Sequence, residues 1–165
     1  MTTQEVELFL ETFQTLIMAS LTPEGDPYAS TAPYIRIGDD FYILISTVAQ
    51  HGRNLLVHSK VSLLFVEDES QCVQPFARKR VTIEAEASEI TRDEELFLHA
   101  IERFKAHFDS ELVTSLSQMG DFHLFKLSVL RGNVVMGFGK AYHLDENLEV
   151  TAHIMGNHQR GHGHG

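Results

Sequence analysis

Arg80-Val-Thr-Ile-Glu-Ala-Glu-Ala-Ser-Glu-Ile90 alternates apolar Val81, Ile83, Ala85 and Ala87 with polar Thr82, Glu84, Glu86 and Ser88. A period of two sends one set of side chains into a core and the other into water, which predicts a half-buried strand. Upstream, Lys60 to Glu67 (KVSLLFVE), Phe41 to Thr47 (FYILIST), Tyr28 to Ile37 and Thr15 to Thr22 (TLIMASLT) read as four more strands. The turn-rich Pro23-Glu-Gly-Asp-Pro27 and Gly38-Asp-Asp40 divide them. Helices are expected at Glu5 to Gln14 and at Val48 to His58. Downstream, Thr91-Arg-Asp-Glu94 fits a capping box, in which threonine and glutamate satisfy free amide donors. It opens a helix whose apolar face is Leu96, Ala100, Ile101, Phe104 and Phe108. A short helix over Glu111 to Met119 follows, then strands at Phe122 to Leu127 and Asn133 to Phe138. Gly137-Phe-Gly139 bends the chain into Ala141-Tyr-His-Leu144. Six or more short strands with helices inserted irregularly predict a mainly β, α+β protein, an antiparallel barrel with peripheral helices.

The chain has 165 residues, 43% of them hydrophobic, which suits one globular domain with a real core. We expect a barrel domain over residues 1–152 and a His/Gly-rich tail over 153–165. No apolar run approaches the ~20 residues of a membrane span and no signal peptide is recognisable, so a cytoplasmic protein without a membrane partner is expected. One cysteine, Cys72, excludes an internal disulfide and multi-cysteine metal sites. A net charge of -10 argues against a nucleic-acid partner. The run Arg78-Lys79-Arg80 is a local exception. Such a cluster suits a small anionic ligand, or else forms a solvated loop.

The C-terminal stretch His153-Ile-Met-Gly-Asn-His158-Gln-Arg-Gly-His162-Gly-His164-Gly165 gathers four imidazoles after the last expected strand. Neutral imidazole ligates Fe, Cu, Ni or Zn, and the interspersed glycines leave the tail free to fold over a site. A solvated terminus is the other reading.

Longer motifs carry a more specific signal. Ala49-Gln-His51-Gly-Arg53-Asn54-Leu55 followed by Val61-Ser-Leu-Leu-Phe-Val-Glu67-Asp68 resembles the central signature of pyridoxamine-phosphate-oxidase-like split-barrel proteins, a superfamily that binds flavin or heme. Phe76-Ala-Arg78-Lys79-Arg80-Val-Thr82, and Asp121-Phe-His-Leu-Phe-Lys-Leu127 continuing to Gly137-Phe-Gly139-Lys-Ala-Tyr142, resemble its heme-utilization (HutZ/HugZ-type) members. The likeness runs from about Thr15 to His158.

That resemblance implies an FMN-binding-like antiparallel split barrel, a homodimer with heme between subunits, and a heme oxygenase-like activity that releases iron and a biliverdin-type tetrapyrrole. By motif position it implies His158 as the heme-iron ligand, with His153 as the alternative. Asp121 then orients the ligand imidazole from the partner subunit, and Arg80, with Arg78, Lys79 and His51 as neighbours, receives the heme. A single axial histidine leaves the other face of the iron open, and a carboxylate on its second ring nitrogen raises its basicity. Propionates call for charge-assisted hydrogen bonds, which Arg78, Lys79 or Arg80 can supply. Electrons must come from an external reductase or reductant, because the polypeptide carries no redox centre of its own. Two other functions remain open: a non-catalytic heme carrier or storage protein, and an FMN-dependent oxidoreductase. Asp121 can also simply end an element, His51 can stabilise its helix, and Arg53 and Asn54 can organise the same helix or meet a flavin phosphate. His162 and His164 have no assigned role.

Overall fold

The computed structural model describes residues 1–156. Eight antiparallel strands run as β1 (Thr15–Leu21), β2 (Pro27–Ile37), β3 (Asp40–Ser46), β4 (Lys60–Val66), β5 (Arg80–Ile90), β6 (Phe122–Val135), β7 (Ala141–Leu144) and β8 (Val150–His153). Their order is β3-β2-β1-β4-β5-β6-β7-β8, and an additional β3–β6 pairing closes the first six strands into a barrel. The fold is the antiparallel split barrel with peripheral helices that the strand pattern and motifs predicted, extended by the β7–β8 hairpin. Four helices accompany it: α1 (Thr3–Leu10), α2 (Gln50–Val57), α3 (Glu95–His107) and α4 (Ser110–Gln118). No helix among the described residues is long and apolar enough to cross a membrane.

The β5 alternation behaves as its chemistry requires. Val81, Ile83, Ala85 and Ala87 enter the barrel core, joining Leu16, Met18, Phe41, Leu63, Phe65, Phe125 and Val134. A second apolar layer outside the wall packs Phe97, Ala100, Ile101 and Phe104 of α3 against Ile35, Tyr42, Leu44 and Leu124. Two helices plug the barrel mouths. Val6 and Leu10 of α1 reach the core at the end where β1 and β5 begin, and Leu55 of α2 reaches it at the other.

Several boundaries differ from the sequence expectation, each for a local reason. Helix α1 starts at Thr3 because Thr2 and Glu5 form a capping box, and it stops at Leu10, short of Gln14. The Thr91 box is only half built. Thr91 N–H donates to Glu94 Oε2 (2.6 Å), but the threonine hydroxyl turns to the Asp93 and Glu94 carboxylates, and α3 begins at Glu95. The two strands expected around Phe122 and Asn133 are one, β6. Its apolar period breaks at Leu130, where the pairing with β5 jumps from Ala85–Val129 to Glu84–Arg131 in a bulge. Strand β8 takes in His153, which the sequence reading set beyond the last strand.

Candidate functional site

The residues singled out from sequence fall into two groups at opposite ends of β5 and β6. Asp121 immediately precedes β6. Its carboxylate accepts a hydrogen bond from Ser46 Oγ (2.6 Å), while its carbonyl accepts from Thr47 N–H (2.7 Å) and Thr47 Oγ1 (3.2 Å). Asp121 therefore ties the start of β6 to the end of β3 and still exposes acceptor capacity on its half-buried carboxylate.

His51 lies on α2 at this same end. Its Nδ1 is 3.0 Å from Ser30 Oγ of β2, and burial pushes its pKa below the ordinary histidine value, favouring neutral imidazole. The helix is seated by two features of the His51-Gly-Arg53-Asn54 motif. Asn54 is fully buried, donates to Ser20 Oγ (3.0 Å) and accepts from Gln50 Nε2 (2.7 Å). Gly52 lies so close to β3 that a Cβ there would sit 2.1 Å from the Ser46 carbonyl oxygen. The same Ser46 holds Asp121 through its hydroxyl, so α2, β3 and Asp121 form one packed unit.

The basic run lies at the far end. Arg78 donates from Nε to the Glu67 carbonyl (2.7 Å), and Arg80 donates from a terminal nitrogen to the Arg78 carbonyl (2.8 Å). Arg80 opens β5 in register with Val66 and Val135, while its neighbour Val81 is core. Strand alternation thus sets Arg80 on the outer face of the wall. Lys79, on the other side of the period, lines the cleft beneath α1.

His153 joins this end, since its register partner Tyr142 pairs with Val134, which pairs with Val81. Its Nε2 is 2.6 Å from the Gly139 carbonyl oxygen, which fixes Nε2 as the donor, and its ring centroid is 4.9 Å from that of Tyr142. His158, His162 and His164 lie outside the described residues. Strand β6 alone, at ~3.3 Å per residue, separates the two groups by on the order of 40 Å. One chain therefore brings Arg78, Arg80 and His153 to one end, and Asp121 and His51 to the other.

The outer face between these ends carries no charge on β1 and β2, and on β4 only Lys60, at the start of the strand. Ile17 and Ala19 of β1, Thr31 and Ala29 of β2, and Leu64 and Ser62 of β4 stand in register on it. Charge returns on β5, with Glu84 and Glu86.

Residues 2–136 match the family model of pyridoxamine 5'-phosphate oxidase. The chain belongs to that family. Within it the likeness is to the HutZ type. The chain is 38% identical over 157 residues to a Vibrio cholerae serotype O1 protein named heme oxygenase HutZ, covering 94% of this chain and 89% of that one. A crystal structure of Vibrio cholerae HutZ, there described as a heme storage protein, superposes with a TM-score of 0.76 at 37% identity, over 82% of this chain and 96% of that one. Campylobacter jejuni ChuZ superposes with a TM-score of 0.80 at 32% identity, over 92% of this chain and 61% of ChuZ.

Sequence reasoning missed Ser46 and Ser30, the partners of Asp121 and His51, and gave no role to Tyr142, which stands in a quoted motif and packs on His153. The two serines lie 75 and 21 residues from their partners along the chain, and no spacing rule joins them. Gly52 was legible in principle, because a glycine inside a helical motif marks close backbone approach or a local cost.

Proposed function

We propose that this protein binds heme between two copies of the chain and degrades it oxidatively, releasing iron and a linear tetrapyrrole. The observation that carries the reading is the identity with the HutZ protein over nearly the whole of both chains. The separation of the two residue groups supports the shared site. Asp121 and Arg80 lie at opposite ends of β6, so residues of both groups meet one ligand only if two copies contribute. The outer face of β2, β1 and β4, uncharged apart from Lys60 at its edge, suits the burial that pairing requires, and Arg80 stands on that same face.

The donor set fits the group. Heme supplies the redox-active iron and is itself the molecule opened. Arg80 and Arg78 each engage one backbone carbonyl and keep further N–H donors for propionate oxygens. His158 is the proposed iron ligand. Asp121 of the partner subunit, its carboxylate fixed by the Ser46 hydroxyl, would accept the second imidazole N–H of that ligand, which would keep the ring in one tautomer and raise its basicity. His153 is the weaker alternative, since its Nε2 already serves the Gly139 carbonyl. The electrons come from an external reductant.

Titration with hemin should give a defined Soret band at one heme per chain, and ascorbate under air should bleach it with release of iron. A Soret band that persists unchanged under those conditions leaves a carrier and rejects the enzyme. We expect His158→Ala to change the axial ligation and Asp121→Asn to keep heme but slow its loss by about tenfold or more. Mixing the two variants should give faster turnover than either shows alone, because one site of each mixed dimer then has both native residues. Failure of mixing, with turnover intact in the native protein, rejects the shared site only.

A further inference from the structure

We propose that the cleft beneath α1 is a second binding site, for a small organic anion with an apolar body and a carboxylate or phosphate head. The proposal does not rest on the heme reading. The cleft has a volume of about 430 Å3, within the range of small-molecule sites, and is framed by α1, the start of β5 and the β6–β7 hairpin. Leu8, Phe9 and Met136 make its apolar lining, and Lys79, Lys140 and Tyr142 bring polar groups to it.

The apolar part is a face left uncovered. Helix α1 turns Val6 and Leu10 into the barrel, whereas Leu8, on its flank, remains 56% exposed. An exposed leucine beside a partly buried phenylalanine and methionine offers a ligand a surface from which water is readily displaced.

The polar part follows from two backbone devices. Alternation along β5 puts Lys79 on the side of Val81, toward α1, and separates it from Arg80 across the wall. The β6–β7 hairpin supplies Lys140. Met136 N–H donates to the Lys140 carbonyl (2.9 Å), Lys140 N–H donates to the Gly137 carbonyl (3.1 Å), and Gly139 takes the left-handed φ of 70° that returns the chain to the cleft. His153 locks this turn from β8 through the Gly139 carbonyl, and it lies against the Tyr142 ring.

The charge at the site is unsatisfied. Among the described residues neither the Lys79 nor the Lys140 ammonium has a carboxylate oxygen within 4.0 Å, although the chain carries 23 acidic residues against 13 basic ones; the neighbouring Glu67 carboxylate accepts from the Lys79 backbone N–H (3.1 Å). The acid that does line the cleft, Glu5, is committed to its own helix end, accepting from Thr2 N–H (2.8 Å) and lying 4.0 Å from the amino terminus. Two ammonium groups and a phenol beside an apolar lining match an anionic head on an apolar body, with the lysines acting as point charges and the phenol as a donor.

The test uses the full-length protein and two-dimensional amide NMR. Octanoate and phenyl phosphate are the probes, and octanol is the uncharged control. We expect both anions to shift the amides of Leu8, Phe9, Met136 and Tyr142, and octanol to bind at least about tenfold more weakly. Lys79→Met with Lys140→Met should weaken anion binding by a similar factor, and Leu8→Asp should abolish it while the amide spectrum stays dispersed. Octyl phosphate, which shares its apolar chain length with octanoate, then identifies the head: tighter binding of octanoate marks a carboxylate and tighter binding of octyl phosphate marks a phosphate. Three results overturn the proposal: shifts confined to other residues, equal binding of octanol, or anion binding unchanged in the lysine double variant. Displacement of octanoate by one equivalent of hemin also overturns it, because the cleft would then be part of the heme site.

Discussion

The two mouths of the barrel are closed by different chemistry. At the α1 mouth the plug is aromatic: Phe65 meets Phe13, Tyr34 and Phe41 with ring centroids 5.7, 5.4 and 5.3 Å away. At the α2 mouth it is polar and close-fitting, with Asn54 on Ser20 and Gly52 against the Ser46 carbonyl. An aromatic plug is stabilised by buried area and tolerates small shifts. A polar plug tolerates few, because each displaced hydrogen bond leaves a buried group without a partner. The mouth that holds Asp121 in a defined direction is the one built for geometry, while the apolar mouth is flanked by a cleft that accommodates a ligand.

The contrast can be broken from either side. Phe65→Ala removes the ring at the centre of the aromatic plug and should cost about 4 kcal/mol in urea denaturation. Gly52→Ala should cost about 3 kcal/mol despite adding a single carbon, since the clashing atom is backbone and α2 must lift off β3. The same variant should disturb the amides of Ser46 and Asp121 and leave those of α1 in place. Equal disturbance at both mouths would mean that the plugs are not independent.

The legibility of these regions in sequence follows the same division. The β5 alternation predicted its own buried face residue by residue, because a period of two is a local property of the chain. The bulge at Leu130 was not legible: it depends on which residue of β5 lies opposite, and the chain looked like two strands instead of one bent strand. Arg80 and Lys79 look like one cluster on paper and become opposite faces of a wall once β5 forms. Asp121 was recognised by motif, but its anchor Ser46 lies 75 residues away and only the β3–β6 closure brings it near.

Tyr34 and His51 sharpen the comparison through pH. Tyr34 lies at the aromatic mouth, donating to the Leu10 (3.2 Å) and Phe13 (3.0 Å) carbonyls, and burial raises its pKa to about 12. The unfolded chain releases the phenolic proton near 10, so stability is full below that value and falls as pH rises from about 10 to about 12. Tyr34→Phe should cost about 1 kcal/mol at neutral pH and flatten part of that alkaline fall.

His51 gives the smallest effect and the opposite sign. Burial lowers its pKa, so the folded state takes up its proton less readily than the unfolded chain does, and stability falls as pH drops below about 6.5. The urea midpoint of the native protein should therefore decline between pH 7 and pH 5 more steeply than that of His51→Gln, whose amide can still reach Ser30 but has no proton to gain. Acid then acts at the α2 mouth and alkali at the α1 mouth, where Tyr34→Phe should leave the acid limb unchanged. An identical acid decline in His51→Gln would remove the imidazole from the account.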